Sequence, residues 1–295
     1  RLLQRFLMDA PAEEELGEFA ETILVFGGPY GNLQATEAVL AEAARLRIPQ
    51  TRMICTGDVA AYCAEPLATA NALRAAGITV LMGNCEEALG YGAESCGCGF
   101  EDGSRCDLLA DQWYRYSTVQ LDDDCRAWMR ALPRRITLTM AGAKLAVVHG
   151  GAQTINRFLF ASNAAAEFAE EMELIDADII IAGHAGIPFT RPMANRIWHN
   201  AGAIGMPAND GTPRVWYSLI VPQAQGLRLE HRSLSYDYAA AADKMRRAGL
   251  AEGYADCLTS GLWPSLDVLP ATETANTGIA LAEQTFHWRP ASVDA

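Results

Sequence analysis

Four apolar segments of this chain are each followed by a polar residue that could bind a metal ion. These residues are Asp58 in Thr56-Gly57-Asp58, Asn84 in Gly83-Asn84-Cys85-Glu86, His149 in Val148-His149-Gly150 and His184 in Gly183-His184-Ala185. A glycine adjoins each of them, and glycine lets the backbone turn sharply and approach a ligand closely. Carboxylate, amide and imidazole donors together suit a borderline divalent ion such as Mn, Fe or Zn. One such residue is usually a hydrogen-bonded loop residue, but four in succession predict a metal site.

The elements that must position these residues change character along the chain. Short apolar strands at 22–26, 51–55 and 79–82 alternate with helical segments at 33–46 and 66–76, which indicates parallel α/β packing. The later part is richer in strands, predicted at 136–140, 144–148, 179–182, 196–199, 214–221 and 226–233. Further helices are predicted at 106–116, 122–132, 162–174 and 236–248. Because ligands bind at the carboxyl ends of strands in open α/β sheets, the four polar residues are expected to meet at one edge.

Composition excludes several classes of protein. The chain has 295 residues, half of them apolar, and a net charge of −13 without a Lys/Arg cluster longer than two residues. Binding to bulk nucleic acid is therefore not expected. No run of 18 apolar residues predicts a membrane span, and the first 19 residues turn acidic too soon for a secretory signal. These features favour a cytoplasmic protein with reduced thiols, and they are compatible with a homo-oligomer.

The order of five short motifs resembles the calcineurin-like metallophosphoesterase superfamily, specifically its small bacterial YfcE-like branch. That family reads Asp-x-His-Gly-Asn, Gly-Asp, Gly-Asn-His-Asp/Glu, His-Gly and Gly-His-Thr-His. The corresponding stretches here are GGPYGN (27–32), GDVAAY (57–62), GNCEEAL (83–89), HGG (149–151) and GHAGIPF (183–189). The resemblance spans roughly residues 20–250 and implies a four-layer α/β/β/α sandwich of two mixed sheets, the metallo-dependent phosphatase-like fold. Residues 251–295 are then expected to form an extension packed on that domain.

The resemblance also implies roles for individual residues. In the family, two metals clamp a phosphate ester for in-line attack. Asp58 corresponds to the bridging Asp, and Asn84, His149 and His184 complete the ligands of one metal. The positions that would supply the other metal's own ligands carry Gly28, Tyr30 and Gly186, and the His of the third motif is replaced by Cys85. Because the losses fall on one metal, we expect either a site for a single ion or a site rebuilt with different ligands, such as cysteine.

Cysteine is unevenly distributed and leaves alternatives open. Of eight cysteines, Cys63, Cys85, Cys96, Cys98 and Cys106 fall in or beside loops that are expected to emerge on one side of the sheet. They could converge to hold structural Zn or an iron–sulfur cluster. They could equally be reduced and unligated, and Cys85 could act as a nucleophile.

Two functions follow from these observations. The first is a metal-dependent phosphoesterase-type hydrolase acting on a small phosphorylated substrate, in which Asn32 and Cys85 line the substrate pocket and the ion activates water and polarises the phosphoryl group. The second is a catalytically silent relative that binds a ligand, a metal or an iron–sulfur cluster as a sensor or partner protein. Nothing in the sequence distinguishes a monoester from a diester substrate.

Overall fold

The computed structural model describes residues 13–290, and its centre is a pair of six-stranded mixed sheets. Apolar side chains from both sheets form one buried layer between them. This layer includes Ile23, Val25 and Ile54 from one sheet and Ile136, Leu145 and Ile179 from the other. Helices cover the outer faces, so the predicted α/β/β/α sandwich is confirmed.

The first sheet combines parallel and antiparallel strands. In spatial order it contains β12 (Gln284–Trp288), β11 (Gly226–Leu234), β10 (Val215–Gln223), β2 (Ile23–Phe26), β3 (Met53–Cys55) and β4 (Thr79–Val80). The last three run parallel, and β10 joins them antiparallel to β2. In β2, Ile23 and Val25 face the other sheet whereas Leu24 and Phe26 face helices, so all four are buried. That two-sided burial explains why the sequence is continuously apolar there.

The second sheet positions the two histidines. In spatial order it contains β1 (Glu14–Glu18), β5 (Ile136–Met140), β6 (Ala143–Val147), β7 (Ile179–Ala182), β9 (Arg196–Asn200) and β8 (Phe189–Met193). Strands β6, β7 and β9 are parallel to one another. The carboxyl ends of β6 and β7 therefore lie side by side, directly before His149 and His184.

Helices are distributed unequally over the two outer faces. Those packed on the first sheet are α1 (Leu33–Arg45), α2 (Pro66–Ala76), α3 (Asn84–Tyr91), α4 (Arg105–Gln120), α5 (Asp123–Arg130), α7 (Tyr238–Arg247) and α8 (Glu252–Ser260). The second sheet is covered by α6 (Ala165–Glu173), which buries Phe168 and Met172 against Trp198. A short helix α9 (Ala271–Ala275) and a 3-10 turn (Gln50–Arg52) complete these elements. Within residues 13–290, no helix is both long and apolar enough to span a bilayer.

Several local predictions differ from the structure. Helix α3 was not predicted, and neither was edge strand β1, which contains Glu14 and Glu15. Strands β8 and β12 were also missed; β12 pairs with β11, so part of the predicted 251–295 extension belongs to the first sheet. The N-terminal segment considered as a signal lies partly in residues 1–12, outside the described residues, as do residues 291–295 of the extension.

Candidate metal centre

The four predicted ligands come from both sheets and meet at one edge of the sandwich. Asp58 follows β3 and Asn84 opens α3 just after β4, while His149 follows β6 and His184 follows β7. Asp58 and His184 both have a positive φ, 58° and 57°, in the region that places a side chain sharply off the strand direction. All four residues are buried or nearly so, which keeps their donor atoms away from bulk water.

Nε2 of His149 is the geometric centre of this group. It lies 3.0 Å from Oδ1 of Asn84, 3.1 Å from Oδ2 of Asp58 and 3.2 Å from Nδ1 of His184. Asp58 Oδ2 is 4.0 Å from His184 Nδ1. Among His, Cys, Asp and Glu of residues 13–290, only Asp58, His149 and His184 form a set of three whose ligand atoms all lie within 4.8 Å of one another.

Contacts outside this group orient two of the ligands. The Nδ1–H of His149 donates to the Thr56 carbonyl at 2.6 Å, so its Nε2 lone pair points into the site. The Nδ2 group of Asn84 donates to the Cys96 carbonyl at 3.1 Å, so its Oδ1 points inward. Supporting contacts of this kind are what fix the orientation of metal ligands in proteins.

Electrostatics at the site favour a cation. Burial would raise the pKa of Asp58, but the neighbouring His149 and His184 lower it, so the carboxyl is ionised. Burial would lower the pKa of His149, yet Asp58 raises it overall, whereas burial lowers the pKa of His184 and keeps it neutral. A proton on His149 could satisfy one neighbouring acceptor. A divalent ion would satisfy all four, and the donor set of one carboxylate, one amide oxygen and two imidazoles suits Mn, Fe or Zn.

Glu86 supports the loop that carries Asp58. Its carboxylate accepts hydrogen bonds from the backbone N–H of Asp58 at 2.7 Å, of Val59 at 2.7 Å and of Gly83 at 2.9 Å. Burial first, and then the nearby Asp58, raises the pKa of Glu86 to about 7. This role was missed from the sequence. The signal was a Glu three residues after Gly83, which is the spacing of a helix capping box.

The rings of Tyr30 and Trp263 lie beside Gly28 and Gly186, two positions that correspond by the resemblance to ligands of a second metal. The Tyr30 ring lies over Gly28, such that a Cβ built on Gly28 would be only 2.6 Å from the Tyr30 hydroxyl oxygen. A Cβ on Gly186 would lie 3.5 Å from Cζ2 of Trp263 and 3.8 Å from the same hydroxyl oxygen. Neither glycine offers a ligand. A Cβ at Gly28 would clash with the Tyr30 ring, whereas a Cβ at Gly186 would make ordinary contact with Trp263. The described residues therefore fit one ion and do not fit the second.

A cavity opens beside the cluster, and its wall is mainly apolar and includes six Phe, Tyr and Trp side chains. Asp58 and His184 border it together with Tyr30, Tyr62, Phe100, Phe158, Tyr254 and Trp263. The Phe158 ring packs on the His184 imidazole with centroids 4.2 Å apart. Sequence reasoning missed Phe158 and Trp263, since loop aromatics so distant along the chain show no periodic pattern.

Two residues predicted to line the substrate pocket have other roles. Asn32 caps α1 through Ala35 N (3.1 Å), and its amide nitrogen donates to the Gly205 carbonyl (3.0 Å) and the Tyr236 hydroxyl (3.1 Å). Its side chain is thus used by the fold and does not border the cavity. Cys85 is buried behind Asp58, and its N–H donates to Asp58 Oδ1 at 3.2 Å. Burial, and then Asp58, raises the pKa of the Cys85 thiol, which disfavours the thiolate a nucleophile needs.

The expected convergence of five thiols is not observed within residues 13–290. Cys96 and Cys98 are joined by a disulfide, because the turn at Gly97 brings their Cα atoms to 5.3 Å, and this differs from the expectation of reduced thiols. Cys98 and Cys106 border the cavity, whereas Cys63 lies against the Gly205 carbonyl. The cysteines therefore do not form a set of three ligands in the described structure.

Comparison with known proteins identifies the family. A profile of the calcineurin-like phosphoesterase superfamily domain matches residues 23–220, more than half of the chain. The chain belongs to this superfamily, whose members are generally dependent on divalent metals. The YfcE-like branch stays a prediction.

Solved structures agree on the fold. A metallophosphoesterase from Sphaerobacter thermophilus is 25% identical, with a TM-score of 0.64 over 83% of this chain and 100% of that chain. A hypothetical protein from Pyrococcus horikoshii OT3 has a TM-score of 0.70 at 15% identity, over 82% of this chain and 99% of that chain, and this likeness shows the fold alone. No curated protein sequence matches the chain significantly.

Proposed function

We propose that this protein is a phosphoesterase-type hydrolase that uses a single divalent ion held by Asp58, Asn84, His149 and His184. The observation that carries the proposal is the convergence of three acceptor atoms, from Asn84, Asp58 and His184, on His149 Nε2 at 3.0 to 3.2 Å. Contacts from outside the cluster orient the side chains of His149 and Asn84. Acceptors this close repel one another unless a cation lies among them. The absence of ligands at Gly28, Tyr30 and Gly186 supports one ion in place of two.

A divalent ion in this position supplies a Lewis acid for the phosphoryl group of a substrate. The residues of the chain hold and orient the reacting groups. One oxygen of Asp58 faces the cluster while the other accepts from Cys85 N–H, so the carboxylate cannot rotate freely. Phe158 covers one face of His184 and limits the access of water to it.

In the proposed site, the phenol of Tyr30 offers a hydrogen-bond donor where a second metal ion would otherwise supply positive charge. Burial, and then Asp58, raises the pKa of Tyr30 well above its ordinary value, so the phenol keeps its proton. Tyr30 borders the cavity together with Asp58, and we expect its hydroxyl to donate to a phosphoryl oxygen bound there. A donor that stays neutral stabilises developing charge less than a second metal would, so a modest turnover rate is expected.

A catalytically silent relative is the alternative, and a specific observation favours it. Cys85, with its buried neutral thiol, stands where the family has an imidazole that assists charge development on the phosphate. A protein that retains the ion but lacks this assistance could serve as a sensor or partner protein.

Elemental analysis combined with an activity screen tests the proposal. Purified protein should contain one divalent ion per chain, and Mn²⁺-dependent hydrolysis of 4-nitrophenyl phosphate or bis(4-nitrophenyl) phosphate should fall at least about a hundredfold in Asp58→Ala. His184→Ala should lose the ion, whereas replacing the exposed His287 by Ala should retain both ion and activity. Two ions per chain would contradict the single-ion site. One ion without hydrolysis under any divalent metal would favour the silent relative.

A further inference from the structure

The aromatic cavity beside the metal cluster has no cation in its wall. None of the described residues that border it is Lys or Arg. Arg157 precedes the bordering Phe158 in sequence, but its guanidinium is paired with the Glu171 carboxylate at 2.8 Å. Additional phosphate groups are normally bound by such cations, and a chain with a net charge of −13 repels them further.

The wall offers ring surfaces at fixed positions. Trp263 N–H donates to Asn209 Oδ1 at 2.9 Å, and its indole Nε1–H donates to the Pro207 carbonyl at 2.7 Å. Phe158 is fixed against His184, and Phe100 stacks with Phe158 at a centroid distance of 6.2 Å. These three rings are only partly buried, so they present surface to the cavity in addition to packing with one another.

Trp263 comes from the segment that follows α8, beyond the region matched by the family profile. Asp267 links that segment to the start of α4. Its Oδ2 accepts hydrogen bonds from the backbone N–H of Arg105 at 2.9 Å and of Cys106 at 3.4 Å. Because Trp263 faces Gly186, an aromatic side chain stands where a second metal's ligand would extend. At this position the substrate would therefore meet the apolar ring of Trp263 and not a second metal ion.

We infer that the cavity binds the organic group of a phosphate ester, that this group is an uncharged ring, and that Trp263 determines the preference. The inference rests on the proposed function for the position of the phosphoryl group at the metal cluster. A ring would lie between Trp263 and the Phe100–Phe158 pair, whereas pyrophosphates and nucleoside polyphosphates are disfavoured because no cation meets their further charges. Aromatic contacts strengthen binding roughly two- to twelvefold beyond the effect of area burial, which makes the preference measurable.

Calorimetric titration with non-hydrolysable ligands tests this inference. Protein loaded with Mn²⁺ is titrated with phenylphosphonate, methylphosphonate and pyrophosphate. Phenylphosphonate should bind about tenfold more tightly than methylphosphonate, and pyrophosphate no more tightly than methylphosphonate. In Trp263→Ala the ratio between phenyl and methyl ligands should approach one, and Trp263→Phe should retain most of it. Trp128→Ala is the matched control, because Trp128 lies on α5 beneath Arg74 and does not border the cavity.

A ratio near one in the wild-type protein would overturn the inference, as would an unchanged ratio in Trp263→Ala or the tightest binding for pyrophosphate. The wild-type ligand series needs no variant, so poor folding of a mutant cannot obscure it. The titration measures binding and not turnover. A ring preference in a protein that hydrolyses nothing would overturn only the proposed activity, whereas an active enzyme without the preference would overturn only this inference.

Discussion

The ring of Tyr30 occupies the space into which any side chain at Gly28 would project. Its hydroxyl oxygen would be 2.6 Å from a Cβ at Gly28, closer than real Cβ contacts occur. These two positions are where the superfamily places ligands of a second metal, by the resemblance described above. The clash and the absence of ligand side chains at these positions support the proposal of a single ion.

A double-mutant cycle should show that Tyr30 and Gly28 are coupled. Gly28→Ala is expected to lower the free energy of unfolding by about 1 to 3 kcal/mol, because the new methyl group meets the Tyr30 ring. Tyr30→Ala will be destabilising by itself through the cavity it leaves. The double variant should be at least about 1 kcal/mol more stable than the sum of the single effects predicts, as measured by urea denaturation.

Gly92→Ala provides the control for backbone strain in this cycle. Gly92 has a φ of 67° and no atom within 4 Å of a built Cβ, so alanine there adds strain without a clash. Its effect should be additive with Tyr30→Ala within about 0.5 kcal/mol. Additivity of Gly28→Ala with Tyr30→Ala would contradict the steric conflict described here.

Metal binding should stabilise the folded protein. An ion that binds only the folded state adds about 2.7 kcal/mol at a concentration 100 times its Kd. Chelator-treated protein should therefore melt at a lower temperature, and added Mn²⁺ should raise the melting temperature again in differential scanning calorimetry. His184→Ala should abolish that rise and His287→Ala should keep it. A rise of equal size in His184→Ala would place the ion elsewhere.

Glu86 is not a predicted metal ligand, but its substitution should lower both the stability of the protein and its affinity for Mn²⁺. In Glu86→Gln an amide NH₂ replaces one carboxylate oxygen and faces backbone donors from Asp58, Val59 or Gly83. The loss should cost about 1 to 3 kcal/mol of unfolding free energy and weaken Mn²⁺ binding, because the Asp58 loop loses its support.

The neighbouring Glu87 gives a matched control for Glu86→Gln. Its carboxylate pairs with Arg134 and both side chains are about one third exposed, so Glu87→Gln should cost less than about 1 kcal/mol and leave Mn²⁺ affinity unchanged. Equal effects of the two substitutions on Mn²⁺ affinity would contradict the prediction that Glu86 supports the Asp58 loop.

A buried histidine pair should make the protein sensitive to mild acid. His199 and His231 stack with ring centroids 4.4 Å apart, and the hydroxyl of Thr190 lies 2.8 Å from a ring nitrogen of each. Burial lowers the pKa of His231 to about 4. As pH falls below the unfolded value of about 6.5, the unfolded state binds the proton first, so stability falls until the pH nears 4. For His231 this loss is about 3 kcal/mol.

Chemical denaturation at several pH values checks the histidine prediction. His231→Gln removes the titrating group, so the stability of this variant should decline less between pH 6.5 and 4 than that of the wild type. His287→Gln, on the neighbouring strand β12, should follow the wild-type profile. A wild-type profile parallel to that of His231→Gln would show that the pair does not control the acid response.

Elements with a clear local sequence pattern were predicted correctly, whereas elements that depend on long-range pairing or lack periodicity were missed. Strands β5 and β7 and helix α2 were predicted with their observed bounds, because apolar periods and Pro66 are local features. The candidate ligands Asp58, His149 and His184, which the structure brings together, were singled out because each follows an apolar strand. Helix α3 was missed because its eight residues have little periodicity, and β12 because its pairing with β11 joins segments about fifty residues apart.

The roles of some candidate site residues also depended on distant contacts that the sequence pattern does not show. Asn32 matched a family motif, but its amide is used to cap α1 and to bind Gly205, and no local pattern shows where a side-chain amide will find its partners. The cysteines were close in sequence, yet the paths of their loops keep the sulfurs of Cys63 and Cys85 away from the cavity wall.

The sequence by itself determined the fold class, the family and a candidate set of metal ligands, since these depend on residue types at fixed positions relative to strands. The tertiary structure decided what surrounds these candidate ligands. Tyr30, Phe158 and Trp263 come from three loops to border one cavity, and their placement depends on the packing of both sheets and the C-terminal segment. Such contacts between distant segments arise only when the whole chain is folded, because short-range preferences do not encode them.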